Sequence, residues 1–184
     1  FKGTVDFDPG AGTANLTKDG IYDVFVSKLD SSGNYVWARN FGSNGTSGEQ
    51  GKSVTVDSSG NVYTTGEFSD TADFDPGAGT TNLTSNGGGR DVFVLKLDSS
   101  GDLVWAKNFG GSSGEVVNSM ALDSSGNVYT TGYFSHTVDF DPGAGTAELT
   151  GDLDVFVVKL DSSGNLAPTG SAGVTVAASG GSTS

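Results

Sequence analysis

The chain has 184 residues with 22 acidic and 9 basic side chains, a formal net charge of -13, 30 Gly, one His and no Cys. Eighteen of the acids are Asp and four are Glu; together with abundant Gly, Ser, Asn and Thr this is a vocabulary of turns and strand caps, which excludes a helical protein, and the lack of Cys excludes a disulfide scaffold or a thiolate metal site. No apolar run approaches the roughly 20 residues of a membrane helix and no basic cluster is present to neutralise phosphates, so neither membrane insertion nor nucleic-acid binding is expected.

Taken in chain order, the text repeats itself. Thr4–Thr13 reads Thr-Val-Asp-Phe-Asp-Pro-Gly-Ala-Gly-Thr, and near-copies stand at Thr71–Thr80 and Thr137–Thr146, 67 and 66 residues further on. Asp23–Asp30 predicts a strand C, with copies at Asp91–Asp98 and Asp154–Asp161. Asn34–Phe41 predicts a strand D, with a copy at Asp102–Phe109. Ser53–Asp57 and Asn118–Asp123 predict strand A; Asn61–Phe68 and Asn127–Phe134 predict strand B. All are rich in Val, Phe, Tyr, Trp and Thr and are bounded by Gly and Asp. The links A–B and C–D share one text, Asp-Ser-Ser-Gly, beginning at Asp30, Asp57, Asp98, Asp123 and Asp161. Asp caps free N–H groups and Gly takes the left-handed conformation, so each copy is a tight hairpin. Strand C is apolar on both faces, with Val24 and Val26 on one and Phe25 and Leu29 on the other. A sheet with one wet face alternates instead. Four-stranded units covered on both sides imply sheet stacked on sheet, as propeller blades stack.

The order of these motifs, Val-Asp-Ser-Ser-Gly-Asn-Val-Tyr-Thr-Thr-Gly from Val56, then Asp73-Phe-Asp-Pro, then Asp91-Val-Phe-Val with Lys96-Leu-Asp-Ser-Ser-Gly, then Trp105-Ala and Asn108-Phe-Gly, resembles the SBBP-type bacterial β-propeller repeat over roughly residues 1–166. The resemblance implies a secreted or surface-exposed, non-enzymatic repeat domain. The expected fold is all-β, with four-stranded antiparallel blades in an incomplete propeller or an open, oligomer-completed blade array. About 2.75 repeats fall short of the four to eight blades that close a propeller. The expected division is a partial blade at 1–42 (strands C and D), a full blade at 43–110, a partial blade at 111–166 (strands A, B and C), and a divergent strand or flexible tail at 167–184, where Val174–Ala177 is a candidate substitute strand. Phe1 aligns with Phe68, so the chain opens at the end of a strand B. Open edges and uncovered blade faces lead to the expectation of self-association, or of a longer chain that supplies the missing blades.

The most chemical motif is the Asp pair of the Phe-Asp-Pro loops: Asp6 and Asp8, Asp73 and Asp75, Asp139 and Asp141. Two carboxylates followed by Gly-rich backbone suit calcium; equally, Pro9, Gly10 and Asp8 suit a plain turn. Near-identical repetition argues against catalysis, which needs one asymmetric site, and no catalytic residue is assigned. A unique site would have to use non-repeated residues such as Glu67, Arg90, His136 or Glu148. Glu49 and Glu115 occupy equivalent places and read as structure. Trp37, Trp105, Tyr35, Tyr63 and Tyr129 read as blade packing, with a sugar-stacking surface as the alternative. Lys28, Lys96, Lys159, Arg39 and Lys107 are candidates for pairing with the Asp turns. The sequons at Asn15, Asn44 and Asn82 read as short edge structure, and Gly66 and Gly132 as bulges or close backbone approaches. The function expected is a structural or assembly module of an extracellular array or filament, with a glycan- or protein-binding propeller module as the alternative.

Overall fold

The computed structural model describes residues 1–43, 45 and 48–167; Asn44 and the proposed strand at Val174–Ala177 lie outside the described residues. Thirteen strands and no helix occur among them. They are β1 (Thr4–Asp6), β2 (Asn15–Thr17), β3 (Val24–Leu29), β4 (Tyr35–Phe41), β5 (Gln50–Val56), β6 (Val62–Phe68), β7 (Thr71–Asp73), β8 (Asn82–Thr84), β9 (Asp91–Leu97), β10 (Leu103–Gly111), β11 (Val116–Leu122), β12 (Val128–Asp139) and β13 (Glu148–Leu160).

All pairings are antiparallel. β5, β6, β9 and β10 form one four-stranded blade in the order A, B, C, D. β3 and β4 are strands C and D of the blade before it, and β11, β12 and β13 are strands A, B and C of the blade after it. The Phe-Asp-Pro motif and the Asn-Leu-Thr text form a small hairpin between strands B and C: β1 with β2, β7 with β8, and the far halves of β12 and β13. In the third blade this hairpin is continuous with the blade strands, which is why β12 and β13 run to 12 and 13 residues. The second and third hairpins are also stitched to the end of strand D of the preceding blade. Asp73 pairs with Gly42, and Val138 and Asp139 pair with Gly111 and Gly110.

The five Asp-Ser-Ser-Gly turns adopt one geometry. In the first, the Gly33 N–H donates to Asp30 O at 3.0 Å, and Asp30 Oδ1 accepts the N–H groups of Ser32 and Asn34 at 2.8 and 2.9 Å. The closing glycines all have φ between +79° and +84°, so each hairpin ends on a left-handed Gly beside a capping Asp. Gly66 and Gly132 mark both a bulge and a close approach. The register shifts opposite each of them, and a Cβ there would strike the carbonyl of Gln50 or Val116.

Two apolar clusters fill the gaps between blades. Val24, Val26, Trp37 and Phe41 of the first blade pack on Phe68, Phe93, Leu95 and Leu97 of the second. Tyr63, Val92, Val94 and Phe109 of the second pack on Phe134, Phe156, Val158 and Leu160 of the third. Residues 92–95 of β9, at the centre of the stack, are fully buried on both faces, as the two-faced apolar pattern predicts.

Blades also grip one another by polar contacts. Trp37 Nε1 on β4 donates to Ser99 O at 3.1 Å, in the C–D turn of the next blade. Trp105 Nε1 donates to Ser162 O at 3.1 Å in the same way. Arg39 adds bonds from Nε to Gly101 O at 3.0 Å and from Nη2 to Ser100 O at 3.1 Å. The Gly101 Cα faces the Trp37 indole so closely that a Cβ would stand 2.9 Å from the ring. A pair of substitutions isolates this latch. Gly33→Ala meets nothing within 4 Å and carries only the strain of φ +84°, whereas Gly101→Ala carries the same strain plus the indole clash. Both lose stability, by about 1–3 kcal/mol for the backbone alone, and Gly101→Ala loses measurably more in denaturant titration.

Candidate functional site

The Phe-Asp-Pro loops are the first place to look. Asp6 Oδ1 accepts the N–H groups of Asp8 and Ala14 at 3.0 and 2.8 Å, and Asp8 Oδ1 accepts that of Gly10 at 2.7 Å. The copies repeat this with Asp73 and Asp75 (3.0, 2.8 and 2.8 Å) and with Asp139 and Asp141 (3.0, 2.8 and 2.8 Å). Both carboxylates of each pair therefore brace a turn. Among the described residues no three His, Cys, Asp or Glu side chains cluster as a metal would need. The residue between the two Asp has a structural task that motif reading did not assign. Phe7 packs against Phe1 and Phe25 with ring centroids 5.6 and 4.8 Å apart. Phe74 does the same with Phe68 and Phe93, and Phe140 with Phe134 and Phe156. Each loop is a plug that drives one phenyl ring into its own blade.

The blade junctions hold buried acids. Asp91 is fully buried, and its carboxylate accepts from Asn86 N (3.1 Å), Asn86 Nδ2 (3.2 Å) and Asn108 Nδ2 (2.9 Å). Glu115 is also fully buried; its Oε2 accepts the Gly111 N–H at 3.0 Å, and its Oε1 has no hydrogen-bond partner. A Cβ on Gly110 would touch both carboxyls, so the two acids face one another across that glycine. Burial pushes the Asp91 carboxyl up to about 6. Burial, together with the neighbouring Asp91, pushes Glu115 up to about 7. Asp23 and Glu49 occupy the equivalent junction one blade earlier, and burial raises Glu49 as well.

The remaining feature is a groove of about 1150 Å³ between β3 and β5. Its wall includes the outer edge of β3, which has no partner strand among the described residues, and Phe25 and Val54, 46% and 60% exposed. The next junction shows what an occupied groove looks like. There β6 covers the edge of β9, and Met120, the counterpart of Val54, is 8% exposed. Two of the non-repeated residues singled out by sequence meet at the groove. The buried Glu67 carboxylate lies 3.4 Å from Arg90 Nη1 and 3.4 Å from Lys52 Nζ. Lys52 was not a sequence candidate. It joins Glu67 only because the A–B hairpin sets them side by side, which repeat arithmetic does not signal.

The other candidates lie outside this groove. His136 is exposed, at φ +67°, with Nδ1 3.0 Å from Ser113 Oγ. Ser113 stands 23 residues from His136 in the sequence, so this pairing carries no local motif. Glu148 is exposed at the start of β13. Trp37 and Trp105 spend their indole N–H groups on the next blade's turns, which is a packing role. Of the cations expected to pair with Asp turns, Arg39 reaches Asp102 at 3.7 Å and Lys159 reaches Asp123 at 4.0 Å. Lys28 instead bonds to Ser99 O. Asn15 and Asn82 start the short strands β2 and β8.

One four-stranded antiparallel blade, with parts of a blade stacked face to face on either side of it and the same turns closing their hairpins, defines a repeat module of the β-propeller class. In this chain, residues 36–67 and 104–133 match the family model of the SBBP β-propeller repeat. The chain is also 30% identical over 154 residues to an uncharacterized WD repeat-containing protein of Acanthamoeba polyphaga mimivirus. That match covers 78% of this chain but 11% of the viral protein, so the chain spans about a tenth of that relative's length. No helix among the described residues is long and apolar enough to cross a membrane.

Proposed function

We propose that this chain is a non-enzymatic propeller-repeat module that works as an assembly scaffold through its uncovered blade faces. One contrast carries the reading. The central blade is buried on both sides, whereas among the described residues the faces and edges of its two neighbours that point away from it are apolar and open. Exposed apolar faces and free strand edges promote association. Sedimentation velocity of the purified chain is expected to show species larger than one copy that grow with concentration. Association is also expected to strengthen with salt, which screens the repulsion between copies of charge -13. A monomer at every concentration and ionic strength would overturn the reading. A place outside a bacterial cell, in an array or filament, belongs to the same proposal; cell fractionation and electron microscopy of the assembled material test it.

A second reading has its own observation. The groove joins a free β3 edge to Lys52 and Arg90, two cations whose charge the single buried Glu67 carboxylate only partly offsets. This suits an extended protein segment that adds a strand and carries an acidic side chain. An acidic strand peptide is expected to bind more weakly to Arg90→Ala than to the parent chain in fluorescence anisotropy. Calcium at the three Asp-pair loops remains a separate proposal: calorimetric heat with about three equivalent sites would support it, and a flat titration would leave the loops as braces alone.

A further inference from the structure

The loop from β8 to β9 contains Asn86 followed by Gly87, Gly88 and Gly89. An Asn side chain can close a five-membered ring through the backbone nitrogen of the next residue, and the side chain of that next residue is the main steric obstacle. Among the described residues, Asn86 is the Asn that meets none. Asn118 precedes Ser119, and the others precede Leu, Val, Tyr or Phe. Asn44 also precedes a glycine, Gly45, but lies outside the described residues.

The fold fixes this dipeptide. Gly87 has φ +60°, and a Cβ there would stand 2.5 Å from Ser112 Cα, so no larger residue fits. Asn86 is exposed, and among the described residues no backbone carbonyl accepts the Gly87 N–H. Asn86 Nδ2 donates to Asp91 Oδ2 at 3.2 Å and to Gly110 O at 3.4 Å. The nitrogen that would leave is therefore already in contact with a carboxyl group. Burial holds that carboxyl near 6, which suits it to take up and return a proton close to neutral pH.

We propose that Asn86 is a site of spontaneous deamidation and isoaspartate formation, set against the buried acids at the junction of the second and third blades. The Gly87 nitrogen attacks Asn86 Cγ. The N–Cγ bond forms, the Cγ–Nδ2 bond breaks, and the proton lost from the Gly87 nitrogen departs on ammonia, with Asp91 Oδ2 as the relay. Water then opens the succinimide at either carbonyl. One opening leaves an aspartate; the other leaves an isoaspartate, with one extra carbon in the main chain.

Both products bear on the junction. Each replaces the Nδ2 donor by a carboxylate beside Asp91, which already faces Glu115 across Gly110. The isoaspartate also disturbs the turn in which the Gly89 N–H donates to Asn86 O at 3.3 Å, one residue before the Arg90 carbonyl that accepts the Glu115 N–H at 2.9 Å. The first blade's counterpart of the dipeptide is Asp19-Gly20, so an aspartate fits this loop. There Lys18 stands beside the acid, whereas Ser85 precedes Asn86. The charge formed at Asn86 has no such neighbouring cation.

Site-resolved mass spectrometry of the full chain, held folded at mildly alkaline pH, tests the site. Asn86 is expected to convert on the order of tenfold faster than Asn82 or Asn118, with both isomers in the peptide. Asn86→Gln, which needs a larger ring, is expected to stay intact at that position over the same time. Asn86→Asp reproduces one product and is expected to melt about 2–4 °C below the parent, and the converted parent to melt at least as low. Conversion of Asn86 no faster than that of Asn82 and Asn118 overturns the site. If Asn86→Asp and the converted parent both melt with the unconverted chain, the coupling to the junction is wrong.

Discussion

Glu115→Gln is expected to raise the melting temperature at pH 8 and to leave it nearly unchanged at pH 5. Glu115 lies fully buried opposite Asp91, with one carboxylate oxygen unpaired. Desolvation first, and then the Asp91 charge, raise its pKa to about 7 from the ordinary 4.5. The folded state thus favours the protonated acid more than the unfolded state does. Its contribution to stability is whole below pH 4.5 and is lost as pH rises to about 7. A shift of that size corresponds to roughly 3 kcal/mol at about 1.4 kcal/mol per unit. Asp91, raised to about 6 by burial, adds loss over the same window; because the two acids share one repulsion, their effects do not add. The amide keeps an oxygen for the Gly111 N–H and offers an N–H to Asp91. On the acid side the direction reverses. Asp6, Asp30, Asp98 and Asp123 are held below the ordinary range by Ala14 N–H, the Asn34 side chain, Asp102 N–H and the Asn127 side chain respectively. Those contributions disappear as pH falls through the lowered values. Melting temperature measured against pH should therefore peak near pH 5 in the parent chain and fall less steeply above pH 5 in Glu115→Gln, where the buried Asp91 still contributes its loss.

Phe74→Ala is the largest single loss expected. Phe74 is 1% exposed, with centroid distances of 4.9 Å to Phe93, 5.2 Å to Phe68 and 6.4 Å to Phe41, so it touches both its own blade and the one before it. Removing a phenyl from such a site costs about 3–5 kcal/mol. Phe7→Ala takes the same residue from the same motif where the site is half open, and should cost clearly less. Chemical denaturation of the two variants compares them directly. Equal losses would mean that the contact with the preceding blade adds nothing to the hairpin plug.

Much of the architecture was legible because its grammar is local. Five Asp-Ser-Ser-Gly copies set the pairings of A with B and C with D, and the doubly apolar β3 and β9 texts announced stacked sheets. The family resemblance came from the same short words. What sequence reading missed lies across the repeat. In the Phe-Asp-Pro loops carboxylates and glycines dominate the motif, while the single Phe between the Asp pair, the residue that anchors the hairpin, carries no periodic signal inside a loop. Glu115 was legible as a repeated residue but not as the partner of Asp91, since the two meet only where strand D hands over to the next blade. Lys52 joined Glu67 and Arg90 for the same reason. Glu67 and Arg90 were legible as departures from the repeat, whereas Lys52, mid-strand between ordinary neighbours, offered nothing to mark it.

The indole latch has a consequence for how such a protein changes over generations. Trp37 reaches the Ser99 turn and Trp105 reaches the Ser162 turn, 62 and 57 residues along the chain. Both halves of every junction are therefore encoded within one repeat length of each other. A gene duplication or deletion of one whole unit would splice in or remove a blade while leaving every surviving junction with both its donor and its acceptor. Blade number is then free to drift without any interface having to be reinvented.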